Sequence, residues 1–434
     1  MAFSPGSPIP LHPSLAALLP CLQLVRDCWH LLACPREGDR RERYLPRGER
    51  EPESAYRRRL EAALPSGFFR DALRSFAGML ASSHWRELPD SLQAVISDVD
   101  GCGTDLGVFL EAADLLVLRD GAALVVVLPP AHLWPSEGDR QQALRNGDRL
   151  SLPRLLLRER SDVLHWHLPR LHALPERISW RERRPDAAAA TTTGADGIPP
   201  SGDLPPHPWQ YLTASLTGTG TGQGSGGPGE EGAGGWGMSL VRETLVADPL
   251  APSGWRRQRL DQRHYRGIRQ LPAIWYASHG APFGEGELPH LGLAHQYLNH
   301  FRCQSDYQEL LYRTALPVGV RSGVLGALTT GQASDPVVLG PNSVIDLPEG
   351  ASFQFVEIQA RSLAEHRAWL EGLDRSMRRD ALIPAASHGA PRTAMEISMA
   401  ASQAYALLQS QAIQKASMFS SLLQHWCAIS AEPL

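Results

Sequence analysis

Lysine is almost absent from this chain of 434 residues. The chain has 42 lysines and arginines, and Lys415 is the single lysine among them. A phosphate-binding loop of the G-x-x-x-x-G-K-[ST] type needs a lysine next to a glycine, and Lys415 has no glycine near it. Protein kinases need a strand lysine of their own. The sequence therefore excludes P-loop ATPases, GTPases and protein kinases, and a lysine Schiff-base enzyme would have to use Lys415.

Cysteine motifs, long apolar runs and a leader-like N-terminus are also missing. The six cysteines form no C-x-x-C pair, so we expect free thiols in a reducing compartment and neither a metal site nor a cofactor. No apolar run approaches the length of a membrane span. The first residues carry several prolines and no basic segment, so they make a poor signal peptide. We expect a soluble protein with no membrane partner.

Charge and composition set the broad class of the protein. The 42 basic residues face 46 acidic ones, and the net charge of −4 argues against a strongly basic nucleic-acid binder. Apolar residues make up 43% of the chain, which is enough for a core. The 39 glycines and 35 prolines predict many loops, and the length suggests two or three domains.

Hydrophobic periodicity predicts the elements of the first half of the chain. Apolar residues at spacings of three and four predict helices. A Gly/Pro-rich insertion over 187–237 predicts two long loops around one short strand. The predicted helices are 14–32, 68–82 and 105–118, and the predicted strands include 122–128, 163–168 and 209–216.

The last third of the chain has a more regular pattern. It predicts a helix over 291–313, a β-rich segment over 316–359, a helix that begins at Ser362 and a last helix over 393–427. Ser362 and Glu365 form a capping box. The last helix carries only two charged residues, which is typical of helices that pack on several sides, often against other subunits. Strands are predicted near 317–320, 336–339, 343–346 and 353–358.

Two carboxylates offer a candidate catalytic site. Asp98 and Asp100 follow an apolar stretch, as in the D-x-D-G-T motif of haloacid-dehalogenase-like phosphohydrolases, but two residues separate the glycine from Thr104. The lysine that such enzymes place on the phosphate could only be Lys415. The competing interpretation, which we favour, is an Asx/Gly turn that precedes the next helix.

Histidines and arginines form three further clusters. His165 and His167 share one face of a predicted strand, whereas His290, His295 and His300 recur every five residues and diverge around a helix, so neither set favours a metal site. Residues 255–270 hold six arginines and one Asp. They fit either a nucleic-acid patch or a solvated strand face, and we favour the strand face.

The order of sequence blocks from about residue 22 to residue 427 resembles the portal proteins of tailed double-stranded DNA bacteriophages. Each block is degenerate alone, and their order carries the resemblance. The blocks are YLP, YRRRL, FFRDALRSFAGML, DVDGCGTDLGVFLEAADLLVLRDGAALVVVLPP, VLHW, LPHLGLAHQYLNHFRCQSDYQELLYRTALPVGV, VLGP, FQFVEIQ, RSLAEHRAWLEGLDRSM and PRTAMEISM.

The resemblance implies an α+β portal-type fold with a mixed α/β wing, a two-helix stem, a small β-rich clip and a long C-terminal helix. The implied regions are the wing (1–289, with the insertion 187–237), the first stem helix (290–314), the clip (315–361), the second stem helix (362–383), the tunnel loop (384–392) and the C-terminal wing with a minimal crown (393–434).

The resemblance also implies a function without catalysis. A ring of about twelve copies would sit at one capsid vertex of the virion, after assembly in the host cytoplasm, and would form the channel for DNA packaging and ejection. Its partners would be the major capsid protein, the terminase, the head–tail adaptor and passing double-stranded DNA that it does not bind sequence-specifically. The implied DNA-channel residues are His388 and Arg392 of the tunnel loop, and the candidate charged stem face includes Arg367, Arg375, Arg378 and Arg379.

Overall fold

The chain is a mixed α+β protein with antiparallel sheets. The computed structural model describes residues 9–31, 38–81, 85, 87–131, 136–146, 148–171, 173–184, 208–218, 236–248, 250–251, 254–314, 318–322, 352–356, 362–381 and 394–430. The fold divides into two units. The larger unit comprises Met1–His30, Phe68–Ala294 and Ala381–Leu434, and the smaller unit comprises Leu31–Gly67 and His295–Asp380.

The predicted helices and strands that fall within the described residues lie close to their predicted positions, and the structure adds others. The helices are α1 (Pro13–His30), α2 (Gly38–Tyr44), α3 (Glu53–Ala62), α4 (Phe68–Leu80), α5 (Asp90–Gln93), α6 (Leu106–Asp120), α7 (Glu137–Arg145), α8 (Leu291–Thr314), α9 (Ser362–Asp380) and α10 (Ala394–Ser430). The strands are β1 (Ala122–Leu128), β2 (Arg154–Glu159), β3 (Val163–His167), β4 (Arg177–Arg183), β5 (Trp209–Thr217), β6 (Gly237–Ala247), β7 (Trp255–Arg266), β8 (Ala273–Ala277), β9 (Val318–Ser322) and β10 (Ser352–Val356).

The strand β1 is the centre of the larger unit. It lies between β2 and β8 in an antiparallel sheet, and its apolar run does not alternate with polar residues because both of its faces are buried. Ala123, Val125 and Val127 pack into one cluster together with residues of α6 and α10. Leu124 and Val126 pack into another cluster with the second sheet.

The second sheet of the larger unit is a five-stranded antiparallel meander. Its strand order is β3-β4-β5-β6-β7, so that each strand pairs with its neighbour along the chain. Trp180 and Ile178 of β4 and Leu212 of β5 fill its core face. Among the described residues, β3 and β7 are its edge strands.

The helix α6 has a capping residue at each end. The Asp105 side chain caps its N-terminus by accepting a hydrogen bond from the backbone N–H of Gly107 at 2.7 Å. Gly121 ends the helix with φ 76°, and a Cβ at this position would lie 2.1 Å from the Glu287 carbonyl oxygen. Only glycine fits this turn, which leads directly into β1.

The long helix α10 packs into the larger unit mainly through its C-terminal half. Met418, Leu422 and Trp426 are buried in the cluster that also contains α6 and β1. Towards the N-terminus, Tyr405 and Ile413 are exposed, at 68% and 59%. The single chain therefore leaves apolar surface on this helix uncovered.

The smaller unit contains α2, α3, most of α8, the hairpin of β9 and β10, and α9. Leu45, Ala63 and Phe301 are the buried residues of its core, with Leu60 packed against them. Arg59 forms a shielded ion pair with Glu51 at 2.8 Å. β9 and β10 pair antiparallel.

Several predicted features fall outside the described residues. They are the strands near 336–339 and 343–346, the tunnel loop over 384–392 and most of the two loops in the insertion 187–237. The strand between those loops is confirmed as β5. The division into wing, stem, clip and crown stays a prediction.

Candidate functional site

The helix α9 carries the arginines that were predicted to form a charged stem face. Arg367 pairs with Glu371 (Nε to Oε1, 3.0 Å) and Arg378 pairs with Asp374 (Nε to Oδ2, 2.8 Å), both one helical turn apart. The Arg367 side chain is 74% exposed, so its ion pair adds little stability. In these two pairs, an acid of the same helix offsets the charge of each arginine.

The other two predicted arginines also lie on this helix. Arg375 donates from Nε to the Glu371 carbonyl oxygen at 3.2 Å, and Arg379 donates from Nη2 to Ser376 Oγ at 3.2 Å. Arg379 Nε also lies 3.5 Å from Asp380 Oδ1. The helix therefore carries all four predicted arginines, whereas His388 and Arg392 lie outside the described residues.

Large apolar side chains are exposed on α9 and near the end of α8. Trp369 of α9 is 58% exposed, and Leu311 and Tyr312 near the end of α8 are also exposed. The guanidinium of Arg58 lies 4.3 Å from the centre of the Tyr312 ring and pairs with Glu309 at 3.1 Å. Exposed tryptophan and tyrosine are typical of surfaces that a partner covers.

The Asp98–Thr104 segment forms the turn that we favoured over a catalytic site. Asp100 accepts hydrogen bonds from the Thr104 hydroxyl at 2.6 Å and from the backbone N–H groups of Cys102 and Thr104. Burial alone would raise the pKa of Asp100, but these hydrogen bonds outweigh it and lower the pKa. Asp98 accepts from the Gly103 N–H at 2.7 Å. Both carboxylates thus hold the loop that precedes α6.

Lys415, the candidate phosphate-binding lysine of the hydrolase interpretation, is buried inside the larger unit. Its ammonium lies 2.7 Å from Asp114 Oδ2 and donates to the Leu80 carbonyl oxygen at 2.8 Å. The Tyr276 hydroxyl donates to Asp114 Oδ1 at 2.6 Å and accepts from the Gln411 amide at 2.9 Å. Two of the three N–H donors of Lys415 are therefore used in the core.

A second buried ionic network was not predicted from the sequence. Asp120 is fully buried and pairs with Arg119 at 2.7 Å and Arg26 at 2.8 Å, and both arginines also contact Glu159. Burial alone would raise the pKa of Asp120, but the two guanidiniums outweigh it and lower the pKa. The distant partners Arg26 and Glu159 could not be inferred from the sequence around Asp120.

The histidines occupy separate environments. His165 and His167 lie on β3 as predicted, and the His12 ring lies 5.7 Å from His165 and stacks on Trp166. His290 is buried against Phe76, and burial lowers its pKa to about 4.

The described part of the chain contains no group of three or more His, Cys, Asp or Glu side chains arranged to hold a metal ion. Nor does any helix in that part combine the length and apolarity that a membrane crossing requires.

The C-terminal third of the chain matches a family model described as "Domain of unknown function (DUF4055)", over residues 289–428. The match starts just before α8 and ends just before the end of α10. No curated protein matches the chain. A solved structure titled "Virion of native gene transfer agent (GTA) particle" is similar to it at 13% sequence identity and a TM-score of 0.35, and the similarity covers 85% of this chain and 83% of that one.

Proposed function

We propose that this chain is the subunit of a portal-type ring, in which about twelve copies surround a channel for double-stranded DNA at one capsid vertex. In this proposal the ring passes DNA inwards during packaging and outwards during ejection. It also docks the terminase and later the head–tail adaptor. The chain has no catalytic task of its own.

The observation that carries the proposal is the order of elements from residue 291 to residue 430. The helix α8 is followed by the β9–β10 hairpin, the charged helix α9 and the long helix α10. The resemblance to portal proteins implies the same order: a stem helix, a clip, a second stem helix and a long helix that returns to the wing.

The exposed apolar residues of α8, α9 and α10 support assembly. Trp369, Tyr405 and Ile413 are each more than half exposed in the single chain. Burial of such side chains against a neighbouring copy would contribute about 25 cal/mol for each Å² of apolar surface removed from water. In the proposed ring, every subunit would cover these residues of its neighbour.

The charge of α9 fits a channel that DNA passes without being held. A protein that neutralises many phosphates releases counterions and binds DNA tightly. The acids Glu371 and Asp374 lower the positive charge beside Arg367 and Arg378. Since the chain lacks a phosphate-binding loop, ATP hydrolysis for packaging would take place in the docked terminase.

The decisive experiment measures the oligomeric state of the full chain. Native mass spectrometry and negative-stain microscopy should find closed rings of about twelve subunits with a central channel. A protein that stays monomeric at every concentration and ionic strength would contradict the proposal.

The tunnel-loop residues can be tested in assembled particles. His388→Ala combined with Arg392→Ala should leave ring formation intact and change the amount of DNA packaged per particle. An unchanged amount of packaged DNA would show that these two residues do not act on DNA in the channel.

A further inference from the structure

We propose that the outer edge of β7 binds an extended acidic segment of another protein, which adds a strand to the five-stranded sheet. This proposal is independent of ring assembly. It concerns the exposed, arginine-rich strand that was predicted at residues 255–270, whose second edge pairs with no strand of the described residues.

The strand β7 has one paired and one open edge. β6 pairs with it from Trp255 opposite Ala247 to Arg266 opposite Gly237, with one register shift that leaves Leu260 without a partner in β6. No strand of the described residues pairs with its other edge. A long open edge presents backbone N–H and C=O groups in the pattern that an incoming strand needs.

The arginines of β7 lie on both faces of the sheet. Arg257 and Arg259 stand opposite Leu245 and Glu243, on the face where Leu245 packs with Trp255. Arg256 and Arg263 stand opposite Val246 and Leu240, on the other face. An added strand also projects alternate side chains to opposite faces, so acids at alternate positions would meet the arginines of one face.

Three acids of the larger unit neutralise part of this charge. Arg257 pairs with Glu243 at 3.3 Å, and Arg263 pairs with Asp261 at 2.8 Å. Arg256 lies 3.5 Å from Asp248 and stays 70% exposed.

Two exposed arginines of β7 have no carboxylate partner in the described part of the chain. Arg259 donates to the Gln262 amide oxygen at 2.9 Å, and Arg266 is exposed at the end of the strand. The edge therefore keeps an excess of positive charge that an acidic partner can neutralise.

The arginines of β7 also indicate which class of partner could bind at this edge. A second copy of β7 would bring arginines opposite arginines, and like charges on facing strands are destabilising. A DNA duplex cannot pair with the backbone N–H and C=O groups of the open edge, whereas an extended peptide can. An extended peptide with Glu or Asp at alternate positions, about 7 Å apart, matches the spacing of arginines two residues apart on one face.

Fluorescence anisotropy with the full chain tests the proposal. The probe is a labelled peptide of about ten residues that alternates Glu and Val. Arg259→Glu combined with Arg266→Glu should weaken its binding at least about tenfold, because attraction becomes repulsion at the two unpartnered positions. The control variant, Arg57→Glu with Arg145→Glu, makes the same charge change at exposed positions outside β7 and should bind the peptide like the parent chain.

A peptide of the same sequence with N-methylated backbone nitrogens separates strand addition from charge attraction alone. It keeps the carboxylates but loses the backbone donors, so its binding should be at least about tenfold weaker. Three results would overturn the proposal: no binding of the parent peptide, equal binding of the methylated peptide, or equal weakening by the control variant. Tighter binding of a DNA duplex that is lost in the β7 variant would instead assign this edge to nucleic acid.

Discussion

Lys415 and Asp114 form an ion pair in the core of the larger unit, with 2.7 Å between the ammonium and a carboxylate oxygen. Asp114 is fully buried and Lys415 is 6% exposed. The pair joins α10 to α6, and the hydroxyl of Tyr276, a residue of β8, donates a hydrogen bond to the second carboxylate oxygen of Asp114. Loss of one partner of this pair would leave a buried charge uncompensated, which is strongly destabilising.

Lys415→Met should destabilise the protein by about 3–5 kcal/mol, because it leaves the Asp114 carboxylate buried without its cation. Urea unfolding followed by circular dichroism measures the change. Arg367→Met is the matched control, since it breaks an exposed pair on α9 and should cost less than about 1 kcal/mol.

A double variant separates the lost ion pair from lost packing. Lys415→Met with Asp114→Leu removes both charges and should recover much of the stability that the single variant loses. If Lys415→Met alone is as stable as the parent, the ion pair does not hold α10 in place.

His290 should make stability depend on pH between about 4 and 6.5. Burial lowers the pKa of His290 from 6.5 to about 4 in the folded chain, so in this window the unfolded chain binds a proton that the folded chain does not. Stability should therefore fall as the pH decreases through this window, by about 3 kcal/mol in total. Urea unfolding at a series of pH values measures this slope.

His290→Gln should flatten the slope, because it removes the titrating ring. His295→Gln changes an exposed histidine of α8 and should leave the slope unchanged. An unchanged pH profile in His290→Gln would show that another group accounts for the pH dependence.

Trp369→Glu should prevent ring formation without unfolding the subunit. The side chain is 58% exposed in the single chain, so the stability of the monomer should change by less than about 1 kcal/mol. A charge buried against a neighbouring subunit would be strongly unfavourable. Native mass spectrometry should show monomers in place of rings.

Leu250→Glu is the control for this variant. Leu250 is 95% exposed in the turn between β6 and β7, far along the chain from the three helices proposed to assemble. Rings that persist in Trp369→Glu would exclude this tryptophan from the subunit interface.

Asp100→Ala should destabilise the turn before α6 by about 1–2 kcal/mol, because two backbone N–H groups and the Thr104 hydroxyl lose their acceptor.

We expect no magnesium-dependent hydrolysis of p-nitrophenyl phosphate by the parent chain. Activity that disappears in Asp98→Asn would instead support the phosphohydrolase alternative.

The sequence by itself determined most of the local structure, because local structure depends on spacing and on the residues at element ends. The apolar run that became β1, the capping residue Asp105 and the turn glycine Gly121 all lie within one short segment. The same holds for α8, α9 and α10, whose predicted starts agree with the structure to within a residue. The four predicted arginines lie on one helix because the apolar spacing of three and four around them predicts α9.

The tertiary structure alone decided the partners of the buried charges. Lys415 is 301 residues from Asp114, and Arg26 is 94 residues from Asp120. Periodicity cannot pair residues so distant, because such contacts depend on how helices and sheets pack. Packing also decided that the lone lysine, conspicuous in the sequence as a possible catalytic group, is a buried cation in the core, and that β7 is an edge strand with arginines on both faces.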